Sequence, residues 1–156
     1  MTNNYFDTKH ELLEIALKRT NDRISMIASA LETARDSSTD DTKSSAGDKY
    51  ETSREMIQQD INRYQKQLLE ANKDLQQLLN IQPVIRNETP IARAGSLVQT
   101  DVGFYFIATS IGAVKVGDST IFIISPLSPI GQLLIGKKTG DSFVFNTVNQ
   151  KVNAIY

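Results

Sequence analysis

The chain has 156 residues, of which 40% are hydrophobic and 22% charged, as in soluble globular proteins with one ordinary domain or two small ones. Its 17 basic and 18 acidic residues give a net charge of -1, which excludes the overall positive field of a typical nucleic-acid-binding protein. The absence of cysteine excludes disulfide frameworks, thiolate zinc sites and cysteine nucleophiles. The sequence shows no signal-peptide pattern and no apolar run of about 18 residues, so we expect a cytoplasmic protein without membrane contact.

The composition divides the chain into two parts. Residues 1–80 carry most of the charged side chains and no proline, whereas residues 81–156 carry all 4 prolines and most of the 8 glycines. By sign, the first part has a charge of -3 and the second a charge of +2. We therefore predict a helical domain at 1–82, a linker at 83–95 and a second domain at 96–156. Because the linker contains few apolar residues, we also expect an isolated 90–156 fragment to fold.

The first part has the three-four apolar spacing of a coiled-coil seam. Its two weak positions are His10 and Thr20. Between two such stretches lies SSTDDTKSSAG, a polar segment that predicts an exposed turn and hence an antiparallel hairpin of two helices, roughly 45 to 50 Å long. The seam residues are Phe6, Leu13, Leu17, Ile24, Ile27, Leu31 and Ala34 in the first helix, and Ile57, Ile61, Tyr64, Leu68, Ala71, Leu75 and Leu78 in the second.

The second part contains short runs rich in Val, Ile, Phe and Tyr, separated by turns that contain glycine. These runs predict strands at 96–100, 103–109, 112–116, 120–125, 142–146 and 152–156. The turn between the third and fourth runs is predicted at Gly117 and Asp118. The domain is thus expected to be a small α+β domain with a sheet that is mostly antiparallel.

One short helix interrupts the predicted strands. Ser128 is a suitable N-cap, Pro129 suits the first helical position, and Gly136 can end the helix in the left-handed conformation. Ile130 and Leu134 belong to its apolar face, which also includes Leu133.

The sequence does not contain a recognisable catalytic site. The single histidine, His10, is interpreted as an ordinary helix residue, because no acid or metal-ligand pattern accompanies it. Asp101, Asp118 and Asp141 all lie close to glycines and are interpreted as turn residues. Without a glycine-rich phosphate loop, a serine elbow or a His-x-x-His pair, we predict a protein that is not itself an enzyme.

The predicted turn of the hairpin is acidic. Asp36, Asp40, Asp41, Asp48 and Glu51 outnumber Lys43 and Lys49, which gives a local charge of -3. Asp48 and Glu51 have the spacing of a capping box at the start of the second helix. Asp40 and Asp41 have no such structural role, and carboxylates at the end of an arm are suitable ligands for a Mg²⁺ ion held by another protein.

Two segments give the chain a resemblance to a known family. SPIGQLLIGKKTGD, at 128–141, is similar to the Ser-Pro-x-x-x-x-Leu-x-Gly-Lys-x-x-Gly-Asp stretch of the GreA/GreB transcript cleavage factors, and DKYETSRE, at 48–55, resembles the start of the family's second helix. With the hairpin, the resemblance covers nearly the whole chain. It implies an FKBP-like second domain that docks on bacterial RNA polymerase, and a hairpin that enters the secondary channel of the enzyme.

The resemblance also assigns functional residues. It implies polymerase binding through the segment with the short helix, and cleavage of backtracked RNA with the help of the tip acids. It also implies that no cofactor is tightly bound and that Mg²⁺ is shared with the polymerase. The factor is expected to approach the RNA 3′ end only indirectly and to be a monomer. The polymerase-binding residues are Ser128, Pro129, Ile130, Leu134 and Gly136; the tip acids are Asp40, Asp41, Asp48 and Glu51, of which Asp40 and Asp41 are the predicted metal ligands.

The tip departs from the family pattern. Aligning the family's Asp-x-x-Glu-Asn-Ala-Glu-Tyr on Tyr50 without a gap places Lys43 and Ala46 where the two acids should be, whereas a gap of two residues brings Asp41 to the first acid's place. Two functions therefore remain open, a cleavage factor and a regulator that occupies the same channel without supporting cleavage.

Two further interpretations belong to other classes of protein. An FKBP-like prolyl isomerase needs an aromatic-walled pocket, but the chain has no tryptophan and its strand aromatics are better explained as core. A coiled-coil oligomerisation module would pair the seam between chains and would have a mass above that of the monomer.

Overall fold

The structure, a computed structural model, describes residues 4–41 and 47–156, with side chains described for 4–39 and 51–156. Two long helices come first, α1 (Tyr5–Asp41) and α2 (Gly47–Ile81), and a 3-10 turn (Gln82–Val84) follows them. The rest of the chain forms strands and one short helix, which confirms the predicted α+β class. These elements are β1 (Leu97–Thr100), β2 (Phe104–Ile107), β3 (Gly112–Val116), β4 (Ser119–Ile124), α3 (Pro129–Leu134), β5 (Ser142–Phe145) and β6 (Val148–Ile155).

The strands form one sheet in the order β3-β4-β2-β1-β6-β5. Neighbouring strands are antiparallel except for β2 and β4, which are parallel. All six predicted strands are present. β3 and β4 are joined by the predicted turn, in which Gly117 has a φ of 61°. Glycine adopts this left-handed conformation without the strain that a side chain would bring.

The short helix α3 forms as its sequence predicts. The Ser128 side chain accepts a hydrogen bond from the Gly131 N–H at 3.1 Å, and Pro129 is the first helical residue. Ile130 and Leu134 are buried. Gly136 follows with a φ of 85°, which is the left-handed conformation expected after a helix.

The chain folds as two compact units whose limits differ from the predicted domains. The sheet unit comprises the chain up to Arg19 together with Gln76–Tyr156, and the hairpin unit is Thr20–Leu75. The predicted division at 1–82, 83–95 and 96–156 does not match these limits. The two divisions differ because the composition changes at the end of α2, whereas packing groups the start of α1 and the end of α2 with the sheet.

One face of the sheet is covered by the helix ends. Leu13 of α1 and Leu78 of α2 share a buried cluster with Leu97 of β1 and Phe106 of β2. All four side chains are at most 1% exposed. Burying such side chains contributes roughly 1.5 to 3 kcal/mol each, so the helix ends supply a large part of the stability of this unit. The other buried members of the cluster are Leu12, Ala16, Ile81, Ile85, Ala108, Val114, Ile121 and Ile123.

The opposite face of the sheet packs against α3. Ile130 and Leu134 share this second cluster with Val98, Tyr105 and Val152, among others. The segment 83–95, predicted as a linker, contributes to both clusters: Ile85 belongs to the first and Ala92 to the second. It is therefore part of the folded sheet unit.

The two ends of the sheet unit meet in an aromatic contact. The rings of Tyr5, at the start of α1, and Tyr156, after β6, are stacked with centroids 3.8 Å apart. Burial and a hydrogen bond with Tyr5 raise the pKa of the Tyr156 phenol. The first turn of α1 is thus bound to the last residue of the chain.

The hairpin unit has the seam that the sequence predicts. Leu31 on α1 and both Ile61 and Ala71 on α2 are buried. Thr20, one of the weak positions, is 1% exposed, and its hydroxyl has no hydrogen-bond partner among the described residues. An ion pair between Arg23 and Asp74, at 2.6 Å, joins the two helices. The seam is thus paired within one chain.

None of the helices in the described residues carries an apolar stretch long enough to cross a membrane.

Lys9 is a buried charged residue of α1. Its side chain is 1% exposed, and its ammonium lies 6.0 Å from the centroid of the Phe6 ring. Burial lowers the pKa of Lys9 to about 8; the Glu88 carboxylate opposes this effect, and Arg93 adds to it. The protonated amine therefore destabilises the folded state relative to the unfolded one.

The shared core changes the expectation for the isolated 90–156 fragment. Without the ends of α1 and α2, the fragment would expose Leu97, Phe106 and Ile123, so we now expect it not to fold. The measurement is the dispersion of its amide NMR spectrum. As a control, a chain in which 20–75 is replaced by a short glycine-serine turn keeps both helix ends and should give a dispersed spectrum. A dispersed spectrum from the 90–156 fragment would contradict the shared core.

The substitution Lys9→Met tests the buried charge. Because the folded state binds the Lys9 proton more weakly than the unfolded state, the cost is fully present below about pH 8 and disappears as the pH rises toward 10.5. We expect the variant to be more stable than the wild type at pH 7, with a difference that shrinks by pH 10. Urea unfolding at both pH values measures this. Lys115→Met, at an exposed position of the same unit, is the control; a pH-independent difference for Lys9→Met would refute the assignment.

Candidate functional site

The acidic residues of the predicted turn lie partly in helices. The backbone of α1 is helical through Asp41, so the expectation that Asp40 and Asp41 lie in the turn is wrong. Ser, Thr and Asp are only moderately poor helix formers, and adding residues to an existing helix is easier than starting a new one. Residues 42–46, including Lys43, lie outside the described residues. Successive positions on a helix are rotated by about 100°, so Asp40 and Asp41 occupy different faces of α1.

The other two tip acids lie at the start of α2. Asp48 is the second residue of α2, which begins at Gly47, so it does not hold the N-cap position that the capping-box interpretation requires. Glu51 lies one turn further along the helix and is exposed. Both acids still lie near the positive end of the helix dipole, where negative charge is favourable.

Asp40 and Asp41 were also the predicted metal ligands, and their side chains lie outside those that the structure describes. Among the described residues, no group of three or more acidic, histidine or cysteine side chains is placed to hold a metal ion. Carboxylate oxygens are nevertheless the ligands that Mg²⁺ prefers, and it commonly takes one or two of them from a protein. The residue types therefore fit a shared ion, and the metal role of Asp40 and Asp41 remains a prediction.

A compact turn precedes α3 in the sheet unit. The Ser128 hydroxyl donates to the Ser125 carbonyl at 2.6 Å, and the Leu127 N–H donates to the Ser125 hydroxyl at 3.1 Å. The Gln132 side chain donates to the Leu127 carbonyl at 2.9 Å. Gly131 packs so closely on this turn that a Cβ atom there would lie 2.0 Å from the Ser125 carbonyl oxygen. The turn is therefore held by hydrogen bonds and by close packing together.

This turn presents an apolar side chain to solvent. Leu127 is 81% exposed, although the backbone on both sides of it is hydrogen-bonded. Ile135, just after α3, is 39% exposed. Sequence reasoning missed both residues, because neither belongs to a periodic pattern. The sequence did contain one signal for Leu127. It is an apolar residue between Pro126 and Ser128, in a predicted turn where it belongs to no buried face of a strand or helix.

The predicted polymerase-binding residues are divided by their burial. Ile130 and Leu134 belong to the core under α3, so in this structure they position the surface rather than form it. Pro129 and Gly136 are exposed, and Ser128 is half-buried. The exposed surface around α3 therefore includes Pro129, Gly136, Leu127 and Ile135.

The residues interpreted as structural have structural contacts. The Asp101 carboxylate accepts from the Lys151 N–H at 3.0 Å, and the Asp141 carboxylate accepts from the Lys138 N–H at 2.8 Å. His10 pairs with Glu14 one helical turn away at 3.0 Å, and its side chain is 58% exposed. These contacts agree with turn and helix-surface roles.

The aromatic residues also bear on the prolyl isomerase interpretation. Tyr105, Phe106 and Phe143 are buried in the two clusters, and the Tyr105 hydroxyl donates to Gln150 at 3.2 Å. Phe122, at 43% exposure, is the most exposed of the strand aromatics. These buried rings fill the core, as predicted, rather than lining a substrate pocket.

Comparison with known proteins gives one match. Residues 109–155, which contain β3 to β6 and α3, match the family model described as "Transcription elongation factor, GreA/GreB, C-term". No curated protein matches the chain significantly. The matched segment includes the Ser128–Asp141 stretch, one of the two from which the resemblance was inferred, and the match confirms the resemblance for this part of the chain.

The close packing at Gly131 gives a direct test of the turn. Gly131→Ala forces the Ser125 carbonyl to move, and overpacking of this kind costs about 1 to 3 kcal/mol or more. We expect a matching loss in the free energy of unfolding, measured by urea denaturation. Gly103→Ala is the control, because a Cβ at Gly103 meets no atom within 4 Å. Equal stability of the two variants would contradict the packing described here.

Proposed function

We propose that the chain is a transcription elongation factor of the GreA/GreB type, which binds bacterial RNA polymerase, inserts its hairpin into the secondary channel and stimulates cleavage of backtracked RNA. The observation that carries the proposal is the family match over residues 109–155. In this proposal the protein acts in the cytoplasm as a monomer and is not itself an enzyme, because the cleaving active site belongs to the polymerase.

The sheet unit supplies the proposed attachment. Leu127 is presented by a rigid turn, and an apolar side chain ordered before binding loses little entropy when a partner covers it. Such anchors usually dominate the affinity of an interface. The second part of the chain, 81–156, has a charge of +2, which favours an acidic partner surface. We propose that Leu127, Ile135 and Pro129 contact the polymerase, with Ile130 and Leu134 holding them in place.

The tip acids supply the proposed effect on cleavage. Asp40 and Asp41 are the proposed carboxylates for an ion shared with the polymerase, with Asp48 and Glu51 nearby at the start of α2. When bound, Mg²⁺ stabilises negative charge on phosphate oxygens and helps to activate water. The role of this chain is to bring carboxylate oxygens to that ion, and it approaches the RNA 3′ end only indirectly.

A second candidate function is a channel regulator that does not support cleavage. The helical backbone at Asp40 and Asp41 favours it, because consecutive positions of a helix are rotated by about 100° about its axis and a flexible turn is not available to bring the two residues together. Lys43 and Ala46, at the aligned positions of the family's acids, also favour it. The two candidates share the attachment and differ only in what the tip does.

A backtracked elongation complex distinguishes them. We expect the wild type to shorten the RNA, and Asp40→Ala with Asp41→Ala to abolish this while polymerase binding changes by less than about threefold. RNA sizing on a gel and a binding titration provide the two readouts. Full cleavage with the double variant would refute the tip assignment, and a wild type that binds without cleaving would establish the regulator instead.

The attachment has its own test. Leu127→Asp places a charge at the proposed anchor, and we expect the Kd for polymerase to rise at least tenfold, about 1.4 kcal/mol. Val102→Asp, in the turn between β1 and β2, is the matched control, since Val102 is also an exposed apolar residue of the sheet unit at 57%. Both variants should keep the wild-type thermal stability. Equal binding by the two variants would remove Leu127 from the interface.

A further inference from the structure

The hairpin unit is packed unevenly along its length. We define a proximal zone (20–31 with 61–75) and a distal zone (32–39 with 51–60). All the buried side chains described in this unit belong to the proximal zone: Thr20, Leu31, Ile61 and Ala71. In the distal zone, every described side chain is half-buried or exposed. The distal zone therefore lacks a buried core.

An open groove begins in the proximal zone and continues into the distal zone. It has a volume of about 680 Å³, and it is lined on α1 by small residues that include Ala30, Ala34 and Ser37. On α2 the larger Ile57 and Tyr64 line the same groove, and both are only half-buried. A tight helix pair needs side chains that fill the spaces of the facing helix. The small residues on α1 leave those spaces unfilled.

Two ion pairs of the hairpin unit are of different kinds. In the proximal zone, the pair between Arg23 and Asp74 connects α1 to α2. At the boundary of the distal zone, Asp60 pairs with Arg63 at 3.1 Å, within α2. Contacts of the second kind support one helix but do not hold two helices together.

We infer that the distal zone opens locally, with α1 and α2 separating there while the proximal zone stays paired. Separation exposes little apolar surface that is not already in contact with water, so its free-energy cost is small. The inference goes beyond the proposed function and does not depend on it. If the proposed function holds, the confined surroundings of a channel would favour the closed pairing and so determine where the tip acids lie.

Hydrogen exchange of the full chain, measured without polymerase, tests the inference. We expect backbone amides at 32–39 and 51–60 to exchange at least tenfold faster than those at 21–31 and 61–75. Ala34→Leu fills the groove and should slow exchange in the distal zone at least fivefold. Glu32→Leu, the matched control, adds the same side chain at an exposed position and should not. Equal rates in the two zones, or equal effects of the two variants, would overturn the inference.

A distance measurement separates helix opening from fraying within one helix. Because the chain has no cysteine, pairs of cysteines can carry spin labels at chosen exposed positions. A distal pair at Arg35 and Glu55 should give a broad distance distribution that narrows in the Ala34→Leu background, while a proximal pair at Ala28 and Gln65 should give a narrow one. Equally narrow distributions would overturn the inference. Neither experiment includes polymerase, so their failure is distinct from failure of the proposed function.

Discussion

The sheet unit depends on one shared hydrophobic core, in which the ends of two long helices cover a face of the sheet. Leu13 and Leu78 from the helices and Leu97 and Phe106 from the strands are each at most 1% exposed. A sheet of 4- to 8-residue strands with one 6-residue helix could not cover both of its own faces. The two long helices therefore have two structural roles. The start of α1 and the end of α2 complete the sheet unit, and the middle parts of the helices pair with each other.

Packing and hydrogen bonds also hold α3 and the turn before it in place. The 6-residue helix is too short to be stable alone, so its position depends on Ile130 and Leu134 in the second cluster and on the Ser128 cap. Gly131 allows the turn at Ser125 to approach without a clash. Burial of one side of this segment is what allows the other side, with Leu127, to remain ordered while exposed. An apolar residue in this position is well suited to recognition, because its order does not have to be established on binding.

The sequence predicted the elements better than their association. Periodicity located both long helices and all six strands, and the Ser128–Gly136 signals located α3, because these features depend on neighbouring residues. Two differences between expectation and structure came from interactions that composition does not show. Residues 83–95 pack with the sheet unit, because Ile85 and Ala92 belong to its two clusters. The turn was placed too early because polar residues at the end of α1 were given more weight than the ease of extending a helix that has already formed. Leu127 was missed because exposure, unlike periodicity, is a property of the folded chain.

The contrast between the two units bears on how a factor of this type can act. An anchor of the kind proposed for Leu127 would gain affinity because it is already ordered when the partner arrives, since an interface is weakened when its contacts must first be fixed. Under the proposed function the distal zone has the opposite requirement, because carboxylates that serve an ion held by another protein must adapt to a geometry that this chain does not determine. Asp40 and Asp41 follow that zone on α1. An arm with a filled core up to its tip would fix the positions of these residues in advance, whereas local opening would leave them to be set by the partner.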